Sequence, residues 1–308
     1  MRRREMLAGA VTAAAGSATL SVAANAATQG ARGGKSRPRG GMVQGAGVRL
    51  FHRDWGDGAP MVFLSGWALT SVTWGYVMMP CVEGGFRCIA YDRRGHGRSE
   101  DPGRGYDFDT LADDLASLLD ALDLRDVTLV GHSMASGEMV RYLTRHGSAR
   151  IARTAFVAPA STPFLLKTAD NPDGFDASLF EAARRDYILR DFPGFLAANA
   201  RPFVTPETSE AMIDWVLEQM LQTSLQAVVE CHHIMTSTDF RAELPRITVP
   251  SLVIHGDKDV SARLDLTGRR TAQMIPAARL EIYEGAPHGL FVTHASRLAR
   301  DLIAFARG

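Results

Sequence analysis

Short runs of apolar residues recur along the chain at Met61-Val62-Phe63-Leu64, Cys88-Ile89-Ala90-Tyr91, Val127-Thr128-Leu129-Val130, Ala155-Phe156-Val157-Ala158 and Leu252-Val253-Ile254. A strand with one wet face alternates apolar and polar positions, so runs like these suit strands covered on both faces, as in a parallel sheet between helices. Residues 48–55 do alternate, in the manner of a strand at the sheet edge. Helical periods separate the strands. Leu111, Leu115, Leu118, Leu119 and Leu122 share one face, with Asp113, Asp114 and Asp120 largely off it. This alternation predicts an α/β fold with a mostly parallel, doubly wound sheet and right-handed crossovers. Residues 161–243 break the rhythm. They show helical patterns at 179–189 and 210–221, punctuated by Pro163, Pro172, Pro193, Pro202 and Pro206, and no clear strand. About 80 such residues exceed any ordinary loop. They predict a helical cap inserted late in the sheet.

The first residues follow a different pattern. Arg2-Arg3-Arg4-Glu5-Met6-Leu7 precedes an Ala-rich, mildly apolar run that ends at Ala24-Asn25-Ala26, a small-x-small site of the kind signal peptidase accepts. Arg3-Arg4 resembles a twin-arginine export signal over residues 1–26. Thr12, Gly16, Ser17, Thr19 and Ser21 make the run too polar for a stable membrane anchor. A flexible leader rich in Gly, Ala, Ser and Arg is expected over 27–41, and the folded domain over 42–308. The expected location is periplasmic or secreted.

Composition then narrows the chemistry. Among 308 residues, 46% are hydrophobic and 22% charged, ordinary for a globular protein. Lys+Arg and Asp+Glu both number 34, so no basic surplus exists to neutralise phosphates, and nucleic acid is not an expected partner. Cys81, Cys88 and Cys231 form no CxxC pair, which rules out a thiolate zinc site. Pairing of Cys81 with Cys88 and the oligomeric state stay open.

The most informative stretch is Val127-Thr128-Leu129-Val130-Gly131-His132-Ser133-Met134-Ala135-Ser136-Gly137. A buried strand passes through small-x-Ser-x-small into a helix that carries Met139, Val140 and Leu143. Such a turn presents Ser133 at the top of the strand in a strained conformation, and the flanking positions must be small because they crowd neighbouring backbone. Gly131 and Ala135 meet that requirement. A serine hydroxyl needs an imidazole to take its proton and a carboxylate to orient that imidazole. His288, in the loop after the expected strand around Leu280-Glu281-Ile282-Tyr283, is the candidate base. His132 should point away from the nucleophile. His232 and His233, adjacent in the cap, cannot share one helix face, so a solvated or core role is expected for them. Asp257 and Asp259 compete for the third place, with Asp239 more distant. An oxyanion needs two backbone donors. Met134, directly after the serine, should give one, and the Ser65-Gly66-Trp67-Ala68 loop the other, through Trp67.

These residues resemble the α/β-hydrolase superfamily, and within it the cofactor-free bacterial chloroperoxidase, perhydrolase and aryl esterase group. The resemblance runs from about Val48 to Phe305. It includes Tyr91-Asp92-Arg93-Arg94-Gly95-His96-Gly97-Arg98-Ser99, Asn171-Pro172-Asp173-Gly174 and Thr267-Gly268-Arg269-Arg270. It implies the order Ser133, Asp259, His288, because Asp259 matches the family's G-x-x-D loop and leaves Asp257 as a turn residue. The residues from Arg93 to Ser99 would form a structural loop beside the site. No metal, haem or nucleotide cofactor is implied. Three positions depart from the pattern. Ser65 replaces a usual His, Ala135-Ser136 replaces Gly-Gly, and Ala68 stands where perhydrolases often carry Pro. The resulting expectation is a serine hydrolase of small carboxylic esters. The alternatives are peracid formation from peroxide and a carboxylic acid, a lactonase or C–C hydrolase, and a non-enzymatic ligand-binding module.

Overall fold

The computed structural model describes residues 40–308 apart from Pro163 and Ala277. The export signal and nearly all of the leader therefore lie outside the described residues.

The strands are β1 (Gly41–Gln44), β2 (Arg49–Trp55), β3 (Ala59–Leu64), β4 (Phe86–Tyr91), β5 (Val127–His132), β6 (Ile151–Val157), β7 (Ser251–Gly256) and β8 (Ala278–Tyr283). They form one sheet in the order β1-β2-β4-β3-β5-β6-β7-β8. β1 and β2 are antiparallel to each other, and β2 is antiparallel to β4. From β4 onward every pairing is parallel. The unbroken apolar runs have a direct cause. In β3, Met61 and Phe63 enter one buried cluster and Val62 and Leu64 enter the other, so both faces are covered.

Helices α1 (Gly75–Glu83), α2 (Phe108–Ala121) and α3 (Ala135–His146) connect the earlier strands. Between β6 and β7 the described residues add no strand to the sheet: beside two isolated bridges, Leu166 with Phe175 and Thr168 with Asn171, they form α4 (Ala177–Ala182), a π-helical stretch (Ala183–Ile188), α5 (Leu189–Phe203), α6 (Glu210–Met220), α7 (Leu225–Ser237) and a short 3-10 turn (Leu244–Arg246). This is the cap. Helices α8 (Gly268–Met274), α9 (Leu290–Thr293) and α10 (Ala295–Arg307) complete the chain. In α2 the Asp107 carboxylate accepts from the Thr110 N–H at 2.9 Å and caps the helix, whose apolar stripe is Leu111, Leu115, Leu118 and Leu119.

Two expectations need correction. Residues 48–55 do not form the sheet edge, because β1 adds a further strand that begins at Gly41, the last residue assigned to the leader. Asp114 is not off the apolar face but 1% exposed. It accepts from Arg94 Nε at 2.7 Å and Nη2 at 2.8 Å, and from the Ala46 N–H at 2.9 Å. The carboxylate is tolerated there because each oxygen is hydrogen-bonded. All three cysteines are free and buried. No helix among the described residues is long and apolar enough to cross a membrane.

Candidate active site

Ser133, Asp259, His288 and Trp67 leave the sheet at the carboxyl ends of β5, β7, β8 and β3, the rim where open α/β sheets bind ligands. Ser133 has φ 55°, in the left-handed region. Its N–H donates to Val157 O at 2.9 Å, and its carbonyl accepts from the Ser136 N–H and from Ser136 Oγ at 3.1 and 2.6 Å. These bonds hold a conformation that costs an ordinary residue about 1–3 kcal/mol. The small flanking residues are explained by contact. A Cβ at Gly131 would fall 2.3 Å from Met139 Sδ and 3.3 Å from the Ala135 Cβ.

The structure brings the three candidate side chains into one line. Ser133 Oγ lies 2.9 Å from His288 Nε2, and His288 Nδ1 lies 2.6 Å from Asp259 Oδ2. Asp257 is elsewhere, accepting from the Gly285 N–H at 2.7 Å, and Asp239 pairs with Arg241 at 2.7 Å. Asp259 is 4% exposed, and its second oxygen accepts from the Ser261 and Ala262 N–H groups at 2.9 and 2.7 Å. Burial alone would raise its pKa. The His288 charge and hydrogen bonds from His255 and His288 outweigh burial and hold it well below the usual carboxylate range. The ionised carboxylate is therefore the favoured form beside His288.

Two histidines support this line in ways the sequence did not disclose. His255 Nε2 lies 2.7 Å from Ala262 O and 3.0 Å from Asp259 Oδ2. A carbonyl only accepts, so Nε2 carries the proton and shares it with the Asp259 carboxylate. The signal was its place at the end of β7, one residue before the acidic loop. His132 does not simply point away. Its ring centre is 4.8 Å from that of His288, and its Nε2–H donates to the His288 carbonyl at 3.0 Å. Burial first, then the His288 charge, push its pKa far down, so it stays neutral beside the base.

The Ser65-Gly66-Trp67-Ala68 loop lies against the serine. A Cβ at Gly66 would come 2.6 Å from His132 Nδ1 and 3.2 Å from Ser133 Cβ, so only glycine fits. Among the described residues, neither the Trp67 nor the Met134 backbone N–H has an acceptor. Both remain available to a ligand. The loop is fastened from below by Arg93, which is 3% exposed. Its Nη2 donates to Ser65 O at 2.8 Å and to Glu138 Oε2 at 2.7 Å, while Tyr91 Oη donates to the other Glu138 oxygen. Glu138 sits in α3, the helix that starts behind Ser133. One ion pair thus ties the loop bearing Trp67 to the helix that Met134 leads into.

A cavity of about 390 Å³ opens over Ser133 and His288. Its wall is mainly apolar, with Phe180, Phe195, Leu196, Val216 and Met220 from the cap. The described residues hold no cluster of His, Cys, Asp or Glu that could bind a metal ion.

With this geometry in view, comparison with known proteins is decisive about kinship. Residues 59–295 match the α/β hydrolase fold family. The chain belongs to that family. It is 43% identical over 270 residues to the non-heme chloroperoxidase CPO-A1 of Kitasatospora aureofaciens, covering 84% of this chain and 96% of that one. It is 32% identical over 268 residues to the bifunctional esterase/perhydrolase DCH of Acinetobacter calcoaceticus, covering 85% and 97%. Among solved structures, the esterase from Exiguobacterium antarcticum superimposes with a TM-score of 0.83 at 28% identity, covering 87% of this chain and 100% of that one. In this α/β hydrolase, the expected mostly parallel sheet and late helical cap are both present.

Proposed function

We propose that this α/β hydrolase is a serine esterase acting on small, largely apolar carboxylic esters through an acyl-enzyme. The supporting observation is the Ser133–His288–Asp259 hydrogen-bonded line at the floor of an apolar cavity. Ser133 Oγ attacks the ester carbonyl as His288 Nε2 takes its proton, and Asp259 holds the imidazole in the tautomer that accepts it. The Trp67 and Met134 N–H groups receive the oxyanion, each contributing about 3 kcal/mol to the transition state. His288 then protonates the leaving alcohol. Water, deprotonated by His288, attacks the acyl group, the acid leaves and the serine is restored. Ser133→Ala should reduce p-nitrophenyl acetate turnover by roughly 10⁴- to 10⁶-fold. Equal turnover by the two proteins would reject the mechanism.

Peracid formation is the second reading, favoured by the names of the haloperoxidase and perhydrolase relatives. In it, hydrogen peroxide replaces water in attack on the same acyl-enzyme, and the free peracid oxidises halide without a halide site. The lack of proline at Ala68 in the oxyanion loop supports the hydrolytic reading. Ala68 is buried with φ 60°, and proline is locked near −65°, so the residue often found here in perhydrolases cannot adopt this loop shape. Ala68→Pro should therefore rebuild the loop and lower ester hydrolysis about 10²-fold, as loss of one oxyanion donor does. For the unaltered enzyme, dye bromination with peroxide, acetate and bromide should run slower than ester hydrolysis. Bromination far outpacing hydrolysis would reverse the order of the two readings.

We also propose export through the twin-arginine route, on the strength of Arg3-Arg4 and the Ala24-Asn25-Ala26 site. Replacing both arginines by lysine should keep the protein in the cytoplasmic fraction. Unchanged periplasmic recovery would refute this.

A further inference from the structure

The wall of the cavity contains six buried polar side chains, and five have their hydrogen-bonding hydrogens engaged or absent on the face that matters. Ser133 and His288 serve each other. His132 donates to the His288 carbonyl, and its Nδ1 is sealed from the cavity. Thr236 donates to His232 O at 2.9 Å, and Thr267 to Ala262 O at 3.1 Å. His232, on α7, is the sixth.

Its protonation is fixed by its neighbour. Arg184, in the π-helical stretch of the cap, places Nη1 3.2 Å from His232 Nδ1 and 3.3 Å from Thr236 Oγ1. A guanidinium only donates, so Nδ1 is the acceptor and the imidazole proton resides on Nε2. That Nε2 has no partner among the described residues, yet it is not sealed from solvent as the orphaned nitrogens of His132 and His255 are. His232 is among the residues that line the cavity. The ring is set edge-on to Trp67, with centres 5.5 Å apart, and to Phe180, with centres 6.2 Å apart. The indole N–H of Trp67 is itself taken, donating to Val228 O at 2.8 Å. Burial, followed by the charges of Arg184 and His233, brings the His232 pKa down to about 4, so the neutral donor persists at neutral pH.

We propose that His232 is a specificity-determining residue whose Nε2–H donates to a second, neutral oxygen of the substrate, so that the cavity selects esters carrying an ether, keto or hydroxyl oxygen over their all-carbon counterparts. This deepens the esterase reading and rests on it for the identity of the reacting group. The physical basis is asymmetric. A donor buried without an acceptor loses its hydration, so a substrate lacking the oxygen is penalised as well as one bearing it being rewarded.

The test compares p-nitrophenyl pentanoate with two esters of the same chain length in which oxygen replaces one methylene, p-nitrophenyl ethoxyacetate and p-nitrophenyl 3-methoxypropanoate. Electronic effects of the oxygen cancel when the oxa-to-alkyl ratio is compared between proteins. In His232→Phe the ratio of kcat/KM values should fall about tenfold for at least one oxa-ester. His232→Gln, which keeps an acceptor for Arg184 and a donor for the cavity, should restore most of it. The same ratio is read as Kd in the Ser133→Ala background, where no chemistry intervenes. Absence of wild-type turnover on all three esters would refute the esterase reading while the Kd ratio still reports on the donor. An oxa-to-alkyl Kd ratio unchanged by His232→Phe for both oxa-esters, or binding of none of the three, would overturn the proposal.

Discussion

Glutamine in place of His288 is expected to lower kcat/KM for p-nitrophenyl acetate roughly 10⁴- to 10⁶-fold, with an unaltered circular dichroism spectrum. Glutamine fits the space and can still donate to Asp259, but it cannot take the proton that Ser133 Oγ presents at 2.9 Å. The substitution therefore removes the base and leaves the cavity and oxyanion donors in place. Asp259→Asn acts one step back. With an amide at the position of Oδ2, His288 Nδ1 loses its acceptor at 2.6 Å and the imidazole tautomer is no longer fixed. That change should cost about 10⁴-fold. His288→Gln retaining more than a tenth of wild-type activity would show that another group deprotonates the serine. His132, neutral and turned toward the His288 carbonyl, is not placed to do so.

Arg93→Met should destabilise the protein by about 3–5 kcal/mol, the largest stability loss expected from any single change near the site. Arg93 and Glu138 are 3% and 0% exposed in their side chains, so removal of the cation leaves a buried carboxylate held by Tyr91 alone. Burial acts to lower the Arg93 pKa, but the Glu138 charge and hydrogen bond, together with Tyr91 and Cys231, hold it above its ordinary value. Urea unfolding measures the loss. The double variant Arg93→Met, Glu138→Met separates two roles. It should regain most of the stability, because apolar residues of similar volume replace both charges. It should not regain activity, because Ser65 O still lacks its 2.8 Å anchor and the Trp67 loop is loosened. Recovery of both together would show that Arg93 has no positioning role.

Much of the site was legible in the sequence because strand ends are easy to locate when the strands are buried on both faces. Gly131, Ala135 and the apolar run before them mark the turn that holds Ser133. His288 follows the last strand at the distance a short loop allows. The choice between Asp257 and Asp259 required the family pattern, since both carboxylates follow β7 and only folding shows which one reaches the imidazole. Other features were hidden for physical reasons. β1 is four residues with alternate positions exposed, and it carries too little apolar surface to stand out from a Gly-rich leader. Asp114 looks solvated on a helical wheel, because its partner Arg94 is supplied by a loop 20 residues away. His132 and His255 act through backbone carbonyls and a carboxylate brought in by tertiary packing, which leaves no periodic trace. The donor state of His232 depends on Arg184, 48 residues earlier in the chain.

The account stands most directly on the identity of the nucleophile, which covalent labelling reads without reference to substrate preference. Treatment with diethyl p-nitrophenyl phosphate should add one diethylphosphoryl group per chain, located by peptide mass spectrometry at Ser133, with esterase activity falling in proportion to the labelled fraction. Full labelling at Ser133 with hydrolysis undiminished, or inactivation with the label at any other residue, would contradict it.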